Sequence, residues 1–488
     1  MSPIPYSLLL LTAILPTLAC SAAQEALPST RSGHWEVVSS TAENLHQRLS
    51  EVKTPELEGP LRDELEALLV TVEQFNLRWP MDLDGLSLEA QIAMSLDESI
   101  KMDHAFARLL EVAPERTQSG LAWATYWVNR KPERAVSILD ALINERPDAL
   151  LYQGARVKAL LLIDPEGLDR RFEALIDEQK WDQAAIMLEA TARNDAPRAI
   201  RLSQPCMERA QTDVRLAVAI TRAYRMDNRF AEARRILDAF PDGTITDPGH
   251  LYLWSDTCYA DHDFQRAFEL LQAVDMDSIE TTRPGLHRRL RTMIPLREVA
   301  LKRWPVEQGL RIEDAKEGTN PLATLTIEGR EVVVELFADD APNTVGSFIA
   351  ATDLGIYNGH EAGQVHTGFR TIFGDRIEGD PIPTWSVADE HEHPNHRDIF
   401  AGTLVAYKES KPHSADTRFY ILHFPAPHLN GVRTAFGRVI SGLDVVREMR
   451  QGDVLDRVEI TRRPDSTCET MVLDQDGQVL PLQMLLSE

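Results

Sequence analysis

The stretch VVVELFADDAPNTVGSFIAATDLGIYNG, Val332 to Gly359, decides what the C-terminal third of this chain is. It opens as a β-branched strand and turns at a proline into helical spacing. Pro342 is pre-organised for a first helical turn, and the preceding Asp339 and Asp340 carry charges suited to a helix N-terminus. Just upstream, TLTIEGREVVVELF alternates polar and apolar residues around Gly-Arg, which predicts a β-hairpin. Downstream, FGRVI (Phe436 to Ile440) is a period-two strand, and HLNG (His428 to Gly431) has Asn-Gly turn chemistry. Gly318, Asn320 and Pro321 punctuate the chain before all of this, so a β-rich domain is expected from Pro321 onward.

The chain upstream of that break reads differently. From Pro55 to Trp304 it is rich in Ala, Leu, Glu and Arg at helical spacing. RMDNRFAEARRILDAF (Arg225 to Phe240) is echoed by ADHDFQRAFELLQAV (Ala260 to Val274), with Phe230 and Phe264 34 residues apart. That is the period of tetratricopeptide repeats, which this region resembles. The phrase of a bulky residue followed three positions later by alanine recurs upstream at Trp181/Ala184 and Pro132/Ala135. There the alanines are 49 residues apart, so the earlier repeats carry an extra segment. Such an alanine lets paired helices approach closely. Aromatic helices precede the phrases, at AWATYWV (Ala122 to Val128), AITRAYR (Ala219 to Arg225) and LYLWSDTCYA (Leu251 to Ala260), and are expected in the core. Arrays of this kind offer a surface to a peptide or a partner protein.

At 488 residues, two or three domains are expected. The formal net charge of -25 argues against nucleic acid and against an anionic membrane surface. Cys20, Cys206, Cys258 and Cys468 make no CxxC pair, which speaks against a zinc ribbon. A Cys206–Cys258 bridge stays open at this level. SLLLLTAILPTLACSAAQ (Ser7 to Gln24) reads as a secretory apolar region with small-x-small cleavage after Ala23, although no basic residue precedes it. TLAC also resembles a bacterial lipobox ending at Cys20, so soluble export and lipid anchoring are alternatives. Export to the periplasm or cell envelope of a bacterium is the expectation, and no segment has the ~18 apolar residues of a transmembrane helix.

Ala323 to Ile460 resembles a cyclophilin. The residues that carry the likeness are Val332 to Gly359, then Gly368-Phe369, Gly374-Asp375, RFYI (Arg418 to Ile421) and HLNGVRTAFGRVISGLDVV (His428 to Val446), in the family's order. The resemblance implies an eight-stranded closed β-barrel with two helices and a shallow groove that grips proline-containing peptides. The implied reaction is rotation about an X-Pro amide, over a barrier of about 18–20 kcal/mol. It needs no nucleophile, metal or cofactor. It needs a pocket for the proline ring and a cation aimed at the proline nitrogen, which weakens amide resonance in the twisted state.

Aligned without a gap from Tyr357 to Asp375, the family's catalytic arginine falls on Gln364. The proline-pocket phenylalanine is kept as Phe369, the methionine after it becomes Arg370, and the glutamine that steadies the arginine becomes Ile372. Tyr420 and Leu429 complete the pocket. His428 replaces the groove's tryptophan and Arg433 its histidine. Tyr407 and Lys408 lie on the backbone-binding strand, and Arg418 is grouped with the substrate-binding residues. The hydrophobic floor is retained while the electrostatic device is changed. His391, His393 and His396 invite a metal reading, but similar Asp-Glu-x-His-Pro stretches in the family are ordinary loops, so no metal is expected.

The expected organisation is a signal peptide (1–23), a linker (24–54), tetratricopeptide-like repeats (55–305), a linker (306–320), the cyclophilin-like domain (321–462) and a strand-rich C-terminal extension (463–488). Two function classes stay open: a peptidyl-prolyl isomerase of exported chains with a weakened site, and a non-catalytic proline-peptide module joined to a protein-interaction array.

Overall fold

The computed structural model describes residues 30–50, 59–146, 149–375, 384–392, 396–463 and 469–487. The expected signal peptide with Cys20, and also His393 and Cys468, lie outside the described residues. The chain divides into two compact units, one ending at Glu178 and the other spanning Gln179–Glu488. Among the described residues no helix is long and apolar enough to cross a membrane.

The first unit is helical from Arg31–Ser50 to Pro165–Asp177. Residues 24–54, read as a linker, contain the helix Arg31–Ser50. It forms because Val38, Ala42 and Leu45 make an i, i+4, i+7 stripe, at most 3% exposed, that joins the unit's core. The aromatic helix is buried as expected, at Tyr126 and Trp127, and Asp103 accepts from both Trp123 Nε1 and Trp127 Nε1.

The second unit joins the rest of the helices to the β-domain. Val214–Met226 with Phe230–Asp238, and Pro248–Ala260 with Phe264–Gln272, are consecutive helix pairs whose starts are 34 residues apart. The phrase alanines Ala184, Ala233 and Ala267 are each 0% exposed. Each pair turns through one left-handed residue, Asn228 (φ 60°) and then His262 (φ 61°), 34 positions on. Cys206 and Cys258 are both free and buried, so no bridge joins them, and burial pushes their thiols up to about 11 and about 12.

The expected linker 306–320 is mostly helix. One helix runs from Pro284 to Glu317, through Pro295 and Pro305, and ends at Gly318 in the left-handed region (φ 64°). Each internal proline removes one backbone bond, but the buried face holds the helix together. That face carries Leu290, Arg297, Ala300, Glu307 and Asp314, and its charges hid it from a hydrophobicity pattern. Arg297 pairs with buried Asp256 at 2.7 Å, and Arg225 pairs with the same carboxylate. Burial alone would raise Asp256, but the two guanidiniums hold it below the usual carboxylate range.

Among the described residues the sheet of the β-domain has nine strands: β1 (Leu322–Ile327), β2 (Arg330–Leu336), β3 (His360–Glu361), β4 (Gln364–His366), β5 (Arg370–Phe373), β6 (Thr403–Ala406), β7 (Phe419–Leu422), β8 (Ala435–Ser441) and β9 (Val454–Arg462). Their order is β3-β9-β1-β2-β8-β6-β7-β5-β4, with every pairing antiparallel. The two edge strands are separated only by Ala362 and Gly363. Ala362 N still bonds Asp453 O on the β9 side, while Gly363 N bonds Ile372 O of β5. One bent strand thus serves both ends of the curled sheet, which reconciles nine counted strands with the eight expected. The interior is filled by Leu325, Val334, Phe348, Tyr357, Phe373, Leu404, Phe419, Ile421 and Phe436.

The helix Pro342–Asp353 covers one end. Its N-terminus is not capped by Asp339 or Asp340 but by Glu390, which accepts from the backbone N–H of Asn343 and Thr344 at 3.0 and 2.9 Å. Asp340 instead pairs with Arg397 at 2.6 Å. The C-terminal extension is a short hairpin, Met471–Leu473 with Val479–Pro481, followed by a helical turn, and it buries Val472 and Leu482 in the barrel core.

Candidate functional site

The groove residues gather on the outer face of β4, β5, β7 and β6. Antiparallel pairing puts directly opposed residues on one face, and the register aligns Gln364 with Ile372, Ile372 with Tyr420, and Tyr420 with Val405. Ile372, Val405, Tyr420, Leu422 and Ala435 form a buried apolar cluster, against which Phe369, Tyr407 and Leu429 pack half-buried. The predicted floor of Phe369, Tyr420 and Leu429 is therefore brought together. His428 lies at its edge, its ring stacked at 6.4 Å from that of Phe369.

Gln364 is at the rim. Its side chain is exposed, and Oε1 lies 3.0 Å from His366 Nε2. Ile372, where the family has a glutamine, is 3% exposed and continues the apolar floor. Nothing polar at that position steadies Gln364.

Arg370 is the residue the geometry brings forward. Its guanidinium carbon lies 4.7 Å from the Tyr420 ring centroid and 5.2 Å from that of Phe369, over both rings of the expected pocket floor. Its Nε is buried without a hydrogen-bond partner, and among the described residues no carboxylate pairs with it. Burial raises the Tyr420 phenol above its ordinary value, with Arg370 opposing the shift.

The other predicted residues hold the far end of the groove. Lys408 Nζ pairs with Asp389 at 2.7 Å. Arg433 Nη1 donates to the Lys408 carbonyl at 2.8 Å, just beyond the end of β6. Arg418 pairs with Asp416 at 2.6 Å and lies over the Tyr407 ring at 4.3 Å. Among the described residues no group of three or more His, Cys, Asp or Glu gathers as a metal site.

Sequence reading did not single out His423, Thr371 or Asn228. His423, the residue after β7, is 0% exposed, and its N–H donates to the Phe369 carbonyl at 2.8 Å. Its Nε2 is 2.9 Å from Thr371 Oγ1 and its Nδ1 is 3.3 Å from Asn228 Nδ2. The one available signal was the repeat alignment, which sets Asn228 against His262 at turn positions where asparagine tolerates a left-handed backbone.

A model of the cyclophilin type peptidyl-prolyl cis-trans isomerase/CLD family matches residues 322–469. Peptidyl-prolyl cis-trans isomerase B of Bacillus subtilis (strain 168) is 34% identical over 134 residues, 27% of this chain and 92% of that protein. A peptidyl-prolyl cis-trans isomerase of Synechococcus elongatus is 33% identical over 141 residues, 28% of this chain and 94% of its own length. Among solved structures, a Cryptosporidium parvum cyclophilin type isomerase matches with 20% identity and a TM-score of 0.27, covering 30% of this chain and 99% of that one. With the strand order, the pocket and this coverage of whole relatives in agreement, the chain belongs, through its C-terminal domain, to the cyclophilin-type peptidyl-prolyl isomerase family.

Proposed function

We propose that the protein is a weak peptidyl-prolyl isomerase whose cation is Arg370 rather than a residue at the Gln364 position. The observation that carries this reading is the guanidinium over both pocket rings, at 4.7 and 5.2 Å, with a buried and unpartnered Nε. In the free groove it covers the rings. A proline entering the pocket must displace it, giving up a cation–π interaction worth about 0.5–2 kcal/mol. The displaced guanidinium then flanks the proline nitrogen, where its charge favours the twisted amide. Weak binding and modest turnover follow together.

The test measures cis-to-trans relaxation of a proline tetrapeptide with the full chain. Arg370→Met should bind the peptide as tightly as wild type or more so, because the pocket is uncovered, while turnover falls by about 10–10². Gln364→Arg combined with Ile372→Gln should raise turnover by one to three decades, on the order of the 10²–10³ attached to one transition-state donor. An Arg370→Met variant as fast as wild type would reduce Arg370 to a plug. Peptide binding without turnover in wild type would support the second reading, a non-catalytic proline-binding module, which the exposed Gln364 and apolar Ile372 favour.

The same proposal includes export, on the strength of the apolar segment ending near Ala23, with anchoring through Cys20 as its variant. It also includes a protein or peptide partner for the helical repeats, on the strength of their 34-residue spacing.

A further inference from the structure

The active-site strand β5 is held from behind by the helical array. Thr371 lies between Arg370 and Ile372 and, by the alternation of a strand, points away from the groove they line. Its hydroxyl is 2.9 Å from His423 Nε2, and the His423 N–H holds the carbonyl of Phe369 at 2.8 Å. Behind His423 stands Asn228, in the turn between the helices Val214–Met226 and Phe230–Asp238. Asn228 is 2% exposed, and its Nδ2 lies 3.3 Å from His423 Nδ1 and donates to the Arg447 carbonyl at 2.8 Å.

The other groups facing His423 close the arrangement. Arg447 donates Nε and Nη2 to the His423 carbonyl at 3.1 and 3.0 Å, and Nη2 also reaches Ala260 O of the array at 3.1 Å. Asp227, beside Asn228, pairs with Arg450. Phe424 packs its ring against Phe230 at 5.9 Å and Tyr259 at 5.3 Å. Deep burial and the nearby cations Arg447 and Arg450 push His423 down to about 3, so it is neutral. A neutral ring that accepts from Asn228 at Nδ1 carries its proton on Nε2, and donates it to Thr371. The tautomer, and hence the direction of the bond to β5, is set by the array.

We propose that Asn228, through His423, is a positioning residue for the proline groove, so that the helical array sets the geometry of Phe369, Arg370 and Ile372. The inference rests on the groove reading above. It makes the array part of the site's support, and a partner that shifts the turn Asp227–Arg229 would shift the groove with it.

The test uses the full chain. Asn228→Gly removes the side chain and keeps the left-handed turn, and Thr371→Val removes the far end of the relay at constant shape. Each should lower kcat/KM for a proline tetrapeptide on the order of 10-fold, chiefly in kcat, with peptide Kd within about twofold. The double variant should be no worse than the worse single, because both break one relay. Asn228→Gly that lowers the melting temperature but leaves kcat/KM unchanged would make the contact merely structural and overturn the proposal. So would fully additive losses. A wild-type chain with neither turnover nor peptide binding would instead sink the groove reading, and this proposal with it.

Discussion

At the residue scale, the proposed function turns on two positions of the groove. Gln364, which the resemblance matches to the family's cation position, is exposed at the rim, while Arg370 lies over the Phe369 and Tyr420 rings. Linear alignment locates both changes but not their relation, because a guanidinium's long stem can place its charge several ångströms from its Cα. Other single positions are set by close backbone approach. A Cβ built on Gly437, in the FGRVI strand, would come 2.7 Å from the Glu335 carbonyl of β2. Gly437→Ala should therefore cost about 1–3 kcal/mol by forcing backbone shifts, read as a lowered urea midpoint with an unchanged m-value.

At the element scale, the helix Pro284–Glu317 is the surprise, and charge is its explanation. Arg438 of β8 reaches Glu335 at 2.5 Å, Asp314 at 2.9 Å and Glu307 at 3.7 Å, and Arg397 reaches Asp314 at 2.8 Å. The C-terminal half of the helix is thereby locked to the barrel by paired buried charges rather than by an apolar stripe. Removing one partner of such a cluster leaves others unpaired in a dry site. Arg438→Met should destabilise the second unit by about 3–5 kcal/mol, measured by denaturant unfolding, and adding Glu335→Gln should restore part of the loss. A change below about 1 kcal/mol would show that water screens the cluster.

At the scale of the whole molecule, the second unit joins array and barrel through buried groups that must stay neutral. His262 packs its ring 4.5 Å from Trp304 and 6.1 Å from Phe400, and burial with nearby Arg311 and Arg447 lowers it to about 3. His423 is lowered to about 3 as well. Above the ordinary histidine value near 6.5 neither ring binds a proton in either state, so neither affects stability. Below it the unfolded chain takes up protons that the folded chain refuses. Stability should then fall by about 1.4 kcal/mol per pH unit for each ring, down to the folded values near 3. Denaturation midpoints from pH 7.5 to 4.5 check this, and His423→Gln or His262→Phe should each flatten the slope. A slope unchanged in both variants would exclude the histidines as its source.

Strands and helix pairs were legible because they rest on short-range rules: period-two alternation in FGRVI, a proline at a first helical turn, and alanines where helices meet. These fix backbone direction and which side chains share a face; Phe369, Tyr420 and Leu429 were named through the resemblance to the cyclophilin family, not by these rules. The position of the Arg370 guanidinium, the capping of the Pro342 helix by Glu390, the continuation of a helix through Pro305 and the relay from Asn228 to His423 were decided only by the tertiary structure. Each depends on residues between about 47 and 195 positions apart, or on a long side chain choosing among several sites. No local pattern encodes that choice, because the energy that settles it is the desolvation and pairing of polar groups brought together by the fold.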